Sequence, residues 1–278
     1  AALLAAAAAC GGTSRDGEPA PGVVASVPPL AHLAERLVGE DVAVEVMVPP
    51  GASPALYEPT LRQMRGLARA RLYVAVGHPR FPFEQAWLES IREANPGMAV
   101  LPAGGGCRVE PADPHLWLST RCVATMVDRI AGALAETGSD DGLEARRRSL
   151  RATVDSVEAA VGEILAPYRG RSFLVFHPAL GYLARDHGLR QIAIQRGATE
   201  PGPAELAGVL REARERGIRT VFVQPQFSSE AASLVAEELP EGRLATVDPL
   251  ARDWSRNLVD VARALAESFE ARPAGTRP

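Results

Sequence analysis

Short apolar runs that resemble β-strands alternate along this chain with amphipathic stretches that resemble helices, and the alternation occurs twice. Such alternation is typical of parallel sheets with helices packed on their faces. The sequence therefore predicts the α/β class, with two four-stranded parallel-sheet lobes. The predicted strands cover residues 23–27, 42–48, 72–77 and 98–103 in the first half, and 171–176, 191–195, 220–224 and 244–250 in the second.

A long helical pattern separates the two halves. Residues 119–136 and about 142–168 both read as helices, and the second would extend about 39 Å at 1.5 Å per residue. A helix of that length between two α/β lobes predicts a rigid strut that permits only small closure. The predicted boundaries are a leader and tether at 1–21, an N-terminal lobe at 22–140, a linking helix at 141–168 and a C-terminal lobe at 169–278.

The first residues resemble the end of a secretory signal. Nine apolar residues precede Cys10, and a polar stretch then runs to about residue 21. This pattern indicates a lipoprotein cleavage box with Cys10 as the acylated residue, or an ordinary signal peptide that contains a chance cysteine. Either interpretation places the protein outside the cytoplasm, in the periplasm or at the cell surface. Acylation would make a lipid anchor its contact with the membrane.

Charge and cysteine content narrow the function further. The net charge is −4 with no long basic run, which argues against nucleic acid as the main partner. Cys107 and Cys122 are the other two cysteines, and in an oxidising compartment they form either a disulfide or two separate thiols. Their spacing gives little support to a thiolate metal site.

Polar side chains cluster at the ends of the predicted strands, where open α/β sheets bind ligands. Imidazole nitrogens and carboxylate oxygens are the donors that a borderline divalent cation prefers. The joint placement of these residues therefore predicts a metal site in a cleft between the lobes. The residues are Tyr57, Glu58, His78, His115, His177 and Asp248.

Several segments, spread over most of this chain, resemble the segments of one protein family. VMVPPGASPALYEPTLRQMRG, DPHLWLS, FHPALGYLARDHG, FVQPQFSS and VDPL are similar to the zinc- and manganese-binding solute receptors of ABC transporters, over residues 22–268. The resemblance implies two four-stranded lobes joined by a long helix, with the metal between them. It also implies Zn²⁺, or less readily Mn²⁺, as the transported ion, an ABC permease and its ATPase as partners, a monomer, and no catalysis.

The resemblance also implies the ligands. His115 in DPHLWL, His177 in FHPALGYL and Asp248 in VDPL match the second, third and fourth ligands of the family. Histidine at position 177 favours zinc, because manganese receptors tend to have Glu there. Tyr57, Glu58 and Gln224 are expected beside the ligands; Gln224 stands where relatives usually have Glu.

The first ligand of the family is missing, because Ala55 occupies the position of its histidine and has no donor atom. Three explanations remain open. His78, after the next strand, takes the place of the lost ligand; the ion has three protein ligands and a water; or metal binding has been lost or changed.

Two other classes of function follow from these alternatives. A degenerate receptor or surface adhesin would keep the fold without the metal. A zinc hydrolase would use the open coordination position to activate water, with Glu58 as a base, although the sequence contains no HExxH motif.

Overall fold

Two parallel four-stranded sheets form the framework of the protein. A computed structural model describes residues 22–138, 141–195, 202–228 and 230–270. The strand order is β2-β1-β3-β4 in the first sheet and β6-β5-β7-β8 in the second, and every pair of neighbouring strands is parallel. The α/β class and the two four-stranded lobes predicted from the sequence are confirmed.

The N-terminal lobe follows the predicted alternation, with shorter strands than the apolar runs indicate. Helix α2 begins two residues after Pro59, because Thr60 caps its N-terminus in a capping box with Gln63. The elements are β1 (Val23–Ala25), α1 (Pro28–Glu35), β2 (Val44–Val46), α2 (Leu61–Leu67), β3 (Leu72–Ala75), α3 (Pro82–Ala94) and β4 (Ala99–Pro102).

Two helices lead from the first sheet to the second. Helix α4 (Thr120–Glu136) begins after Ser119, whose side chain accepts a hydrogen bond from the Cys122 amide. Helix α5 (Leu143–Leu165) has 23 residues and therefore extends about 35 Å. Its buried positions recur at helical spacing on one face, and that face packs against α4 and the C-terminal helix. The long helix predicted between the lobes is present.

The C-terminal lobe repeats the order of the first. Helix α6 ends at Gly188, which adopts a left-handed conformation with φ of 70°, as helix ends favour for glycine. The elements are β5 (Ser172–Val175), α6 (Gly181–His187), β6 (Arg190–Ala193), α7 (Pro203–Glu215), β7 (Thr220–Val223), α8 (Glu230–Glu237), β8 (Arg243–Thr246) and α9 (Trp254–Glu270).

The main hydrophobic core is continuous across both lobes. It joins residues of the first sheet, α4, α5 and α9 to the inner side of the second sheet, while a smaller cluster packs β5, β6 and β7 against α7 and α8. Helix α9 also packs against α1, so the C-terminal helix reaches the N-terminal lobe. A shared core of this kind resists relative movement of the lobes.

Across the described ranges, no helix combines the length and the apolar character that a membrane span requires.

Candidate metal centre

The loops that carry the predicted ligands all follow the carboxyl ends of strands. The strand order reverses between β1 and β3 and again between β5 and β7, and such reversals open a crevice at the carboxyl edge of a sheet. His177 follows β5, Gln224 follows β7 and Asp248 follows β8. His115 lies in the loop between β4 and α4.

His115 is held by the aspartate two residues before it. The Asp113 carboxylate accepts hydrogen bonds from the His115 amide at 3.0 Å and from its Nδ1 at 2.7 Å. Because a carboxylate only accepts, Nδ1 carries a proton, and in the neutral ring the lone pair is therefore on Nε2. A Cβ at Gly181 in α6 would lie 2.4 Å from Asp113 Oδ2, so the glycine allows this carboxylate to approach the C-terminal lobe closely.

His177 is held from three sides. The Gln224 side chain accepts from the His177 amide at 3.2 Å and donates to its carbonyl at 3.0 Å. The Gln195 Oε1 accepts from Nδ1 at 3.0 Å, which again leaves Nε2 as the atom with the lone pair. Phe227 stacks on the imidazole with 4.5 Å between ring centroids. Burial, reinforced by His115, lowers the pKa of His177 to about 4, so the ring is neutral at pH 7.

The two imidazoles lie together across the lobe boundary. Their ring centroids are 5.4 Å apart with the planes at 78°. Both rings have Nδ1 committed to an acceptor, and a neutral imidazole with its Nδ1 hydrogen-bonded in this way is the state that binds a metal through Nε2. The structure therefore places two imidazole rings side by side, each with Nδ1 bonded to a side-chain oxygen.

Asp248 lies in the neighbouring loop, held by its own contacts. Its Oδ1 accepts from Gln226 Nε2 at 2.7 Å and from the Leu250 amide at 2.9 Å. Trp117, which lies edge-on to His115 at 5.4 Å, donates from Nε1 to the carbonyl of Pro249. Throughout the part of the chain that the structure describes, no three His, Cys, Asp or Glu side chains are grouped so that they could hold one ion. The observed arrangement thus brings His115 and His177 together but leaves Asp248 outside the group.

His78 is buried and bonded to the backbone. Its Nδ1 accepts from the Arg80 amide at 3.0 Å, and its Nε2 lies 3.1 Å from the carbonyl oxygen of Glu110. Since Nδ1 accepts, Nε2 carries the proton and donates. Neither nitrogen of His78 has a lone pair free for a metal in this conformation.

The end of β3 beside His78 is fixed by a buried carboxylate. Glu84 accepts from the amides of Val76 and Gly77 at 2.6 and 3.0 Å and from the Ser26 hydroxyl at 2.5 Å. Burial raises the pKa of Glu84 above its usual range.

The segment after β2 supplies the remaining predicted residues. Ala55 and Glu58 are exposed. Tyr57 is half-buried, donates to Gln63 Oε1 at 2.7 Å and lies 6.3 Å from the Phe83 ring. These contacts attach the segment to α2 and α3, and the position of Ala55 is open to solvent.

Four residues that hold the histidines and Asp248 were missed by the sequence analysis. Gln195 follows β6 by two residues and Asp113 precedes His115 by two, so strand-end placement and the Asx pattern are signals that could have found both. Gln226 and Phe227 lie after β7, within the FVQPQFSS segment, but the sequence does not indicate their partners, which belong to other loops.

The structure joins Cys107 to Cys122 in a disulfide, with 5.3 Å between their Cα atoms. This resolves the two alternatives that the sequence left open. The bridge connects the start of the loop that carries His115 to the first turn of α4.

Comparisons with known proteins identify a family with this fold. The family described as zinc-uptake complex component A, periplasmic (ZnuA), matches residues 23–271. A crystal structure of ZnuA superposes with a TM-score of 0.84 at 36% identity, covering 90% of this chain and 99% of that one. A ZnuA deletion variant with zinc bound gives 0.84 and 36%, covering 92% and 100%.

A relative with lower sequence identity is also a zinc-binding protein by its description. The zinc-binding lipoprotein AdcA of Streptococcus pneumoniae is 24% identical over 238 residues, which is 78% of this chain and 47% of AdcA. The chain thus spans about half the length of that relative. Because the family match covers almost the whole described chain, this protein belongs to the ZnuA family of periplasmic zinc-uptake components.

Proposed function

We propose that this protein captures Zn²⁺ outside the cytoplasm and delivers it to the permease of an ABC importer. The observation that carries the proposal is the pair of adjacent imidazoles, His115 and His177, whose Nδ1 atoms both donate to side-chain oxygens. Family membership supports it, and so does the zinc-bound state of a ZnuA relative at 36% identity.

The proposed ligands are Nε2 of His115, Nε2 of His177 and the carboxylate of Asp248, with water completing four-fold coordination. Asp248 has to move toward the histidines, because the three side chains are not yet grouped. The two backbone hydrogen bonds of His78 favour this arrangement over one in which His78 is the replacement ligand. Tyr57, Glu58 and Gln224 then act around the site, Gln224 by holding the His177 backbone.

The donor set favours zinc over manganese. Two imidazole nitrogens and one carboxylate suit a borderline ion, whereas Mn²⁺ prefers oxygen donors. The third ligand position holds His177 rather than a carboxylate.

The proposal also includes the lipid anchor, the monomeric state and the lobe boundaries that the sequence predicts. Acylation at Cys10, which lies outside the described residues, would anchor the protein; the description of AdcA as a lipoprotein supports this. We propose a monomer with separate N-terminal (22–140) and C-terminal (169–278) lobes and a linking helix at 141–168. Its role is capture and release, with no catalysis.

Zinc-dependent stabilisation tests the proposal. A ligand of the folded state raises the melting temperature, and its stabilisation grows with the logarithm of its concentration over Kd; at 100 times Kd it adds about 2.7 kcal/mol to the free energy of unfolding. We expect demetallated protein to melt at higher temperature with zinc, and His115→Ala to lose most of that rise. Magnesium serves as the matched ion control. No zinc-dependent rise in the parent protein would overturn the proposal.

A further inference from the structure

Gly181, the first residue of α6, lies against the carboxylate that holds His115. A Cβ added at Gly181 would come closer to Asp113 Oδ2 than real Cβ contacts allow. Glycine is not required here for its backbone conformation, because Gly181 is helical and its φ is not positive. What the glycine supplies is the space that the Asp113 carboxylate occupies.

The backbone is fixed on both sides of this contact. The Glu110 amide, three residues before Asp113, donates to the buried Tyr182 hydroxyl of α6 at 2.8 Å. The Leu180 amide, at the start of α6, donates to Gln191 Oε1 at 2.7 Å. The loop and the helix are thus held against each other, and a Cβ at the first position of α6 would be accommodated by rotation of the Asp113 carboxylate.

Such a rotation would remove the acceptor that fixes the tautomer of His115. Asp113 Oδ1 accepts from the His115 amide at 3.0 Å and from its Nδ1 at 2.7 Å. The two oxygens of a carboxylate move together, so displacement of Oδ2 from α6 also moves Oδ1 away from the imidazole. Both side chains are largely buried, so water has little access to replace the carboxylate. A ring whose proton has moved to Nε2 has no lone pair there for a metal.

We infer that Gly181 is a positioning residue for His115, through which the C-terminal lobe sets the tautomer and orientation of a side chain that the N-terminal lobe carries. The segment from His177 to Gly181 carries one imidazole and leaves room for the carboxylate that holds the other, whose ring lies 5.4 Å from the first. The effect on zinc affinity rests on the proposed function, whereas the effect on the tautomer concerns the metal-free protein alone.

The first measurement compares the metal-free parent with Gly181→Ala. The ring ¹⁵N shifts of His115, recorded by NMR at about pH 8.5 where an ordinary imidazole is neutral, report which nitrogen carries the proton. We expect Nδ1 to carry it in the parent and the Nε2-protonated form to appear in Gly181→Ala. Unchanged ring shifts in Gly181→Ala would overturn the inference.

Zinc affinity is then measured by calorimetry against a competing chelator. Gly181→Ala should weaken binding by about 10- to 100-fold, as do other changes to the groups that orient metal-bound histidines. Gly208→Ala in α7, where an added Cβ meets nothing within 4 Å, is the matched control and should change neither the ring shifts nor the affinity.

Asp113→Ala separates an effect through Asp113 from a general disturbance of α6. In that background Gly181→Ala should lower zinc affinity further by less than about threefold, because the carboxylate that it displaces is absent. It should also leave the melting temperature unlowered, whereas in the parent the same change lowers it. An equal loss of affinity in both backgrounds would show that Gly181 acts on the His177 loop, and would overturn the inference.

Two further outcomes remain decisive. If Gly181→Ala alone does not fold, the double variant with Asp113→Ala should fold, and an unfolded double variant would overturn the inference. If the parent binds no zinc, the proposed function fails, and the ring shifts of the metal-free proteins still decide whether Gly181 sets the tautomer of His115.

Discussion

At the scale of single residues, the site depends on which nitrogen of each histidine carries a proton. His115 and His177 each donate from Nδ1 to a side-chain oxygen, of Asp113 and Gln195 respectively. This fixes the tautomer before any ion arrives, so binding need not reorganise the rings. The lowered pKa of His177 also favours metal binding, because fewer protons compete with the metal for the ring.

The pKa of His177 also predicts how stability depends on pH. Its value of about 4 in the folded protein lies below the ordinary 6.5, so between these values the unfolded chain binds a proton that the folded protein does not. Stability of the metal-free protein should therefore fall as pH decreases from about 6.5 to about 4. His32 and His187, whose pKa values burial also lowers, act in the same direction. Glu84, with its raised pKa, acts in the opposite one.

Comparison with His177→Gln isolates the contribution of this residue. Urea unfolding at about pH 5 and about pH 7.5 should show a smaller loss of stability at low pH in the variant than in the parent. Equal losses in the two proteins would contradict the assigned pKa.

Sequence and structure diverge most at this scale. Strand ends and family motifs mark His115 and His177 in the sequence, and the structure places their rings 5.4 Å apart; their role as ligands stays a prediction. The engagement of His78 could not be predicted, because it depends on the loop at Glu110, which lies 32 residues away in the chain. Gln226 was missed for a similar reason, since its partner Asp248 lies on a different loop.

At the scale of elements, the loop between β4 and α4 decides the position of His115. The disulfide between Cys107 and Cys122 closes a ring that contains Asp113 and His115. The amide of Glu110 donates to Tyr182 of α6 at 2.8 Å, and Arg185 lies 3.1 Å from the Glu110 carboxylate. The loop is thus attached at its base to α4 and along its length to the other lobe.

Removal of the disulfide should weaken both the fold and the site. For a ring of this size, we expect Cys107→Ser with Cys122→Ser to lower the free energy of unfolding by about 3 kcal/mol. Zinc affinity should also fall, because the loop that carries His115 would become ordered only on binding. Urea unfolding and calorimetry measure the two effects. A reductant should lower the stability and the zinc affinity of the parent and leave those of the double variant unchanged. If zinc affinity is unaltered in the double variant and in the reduced parent, the role of the bridge is contradicted.

Most elements could be predicted from hydrophobic periodicity, with the long helix as the clearest case. The pattern placed α5 within a few residues of its observed bounds, Leu143 and Leu165. Hydrophobic periodicity did not predict that α9 packs on α1, because the apolar face of a helix does not determine which other element packs against it.

At the scale of the whole molecule, the contacts between lobes favour rigidity. Trp117 donates to the Pro249 carbonyl, and Trp254 donates to the Trp117 carbonyl, both at 2.7 Å and in buried positions. The Ser119 hydroxyl donates to Asp186 at 2.5 Å. With a core that crosses the boundary, closure around an ion should be small and confined to loops such as the one that holds Asp248.

Small-angle scattering with and without zinc measures that closure. We expect the radius of gyration to change by less than about 1 Å, comparable to the backbone shifts of pre-organised complexes. A decrease of several ångströms on zinc binding would contradict the rigid connection through α5 and the shared core.

Zinc titration by calorimetry on the metal-free protein, beside His177→Ala and His78→Ala, tests the central claim most directly. We predict that the parent binds one zinc per chain and that His177→Ala weakens binding at least about 10-fold. His78→Ala should keep the zinc affinity within about threefold of the parent. This variant should instead lower the melting temperature, because it removes two buried hydrogen bonds. Loss of zinc binding on His78→Ala would show that His78 is the replacement ligand, and no binding by the parent would show that the fold persists without the metal function.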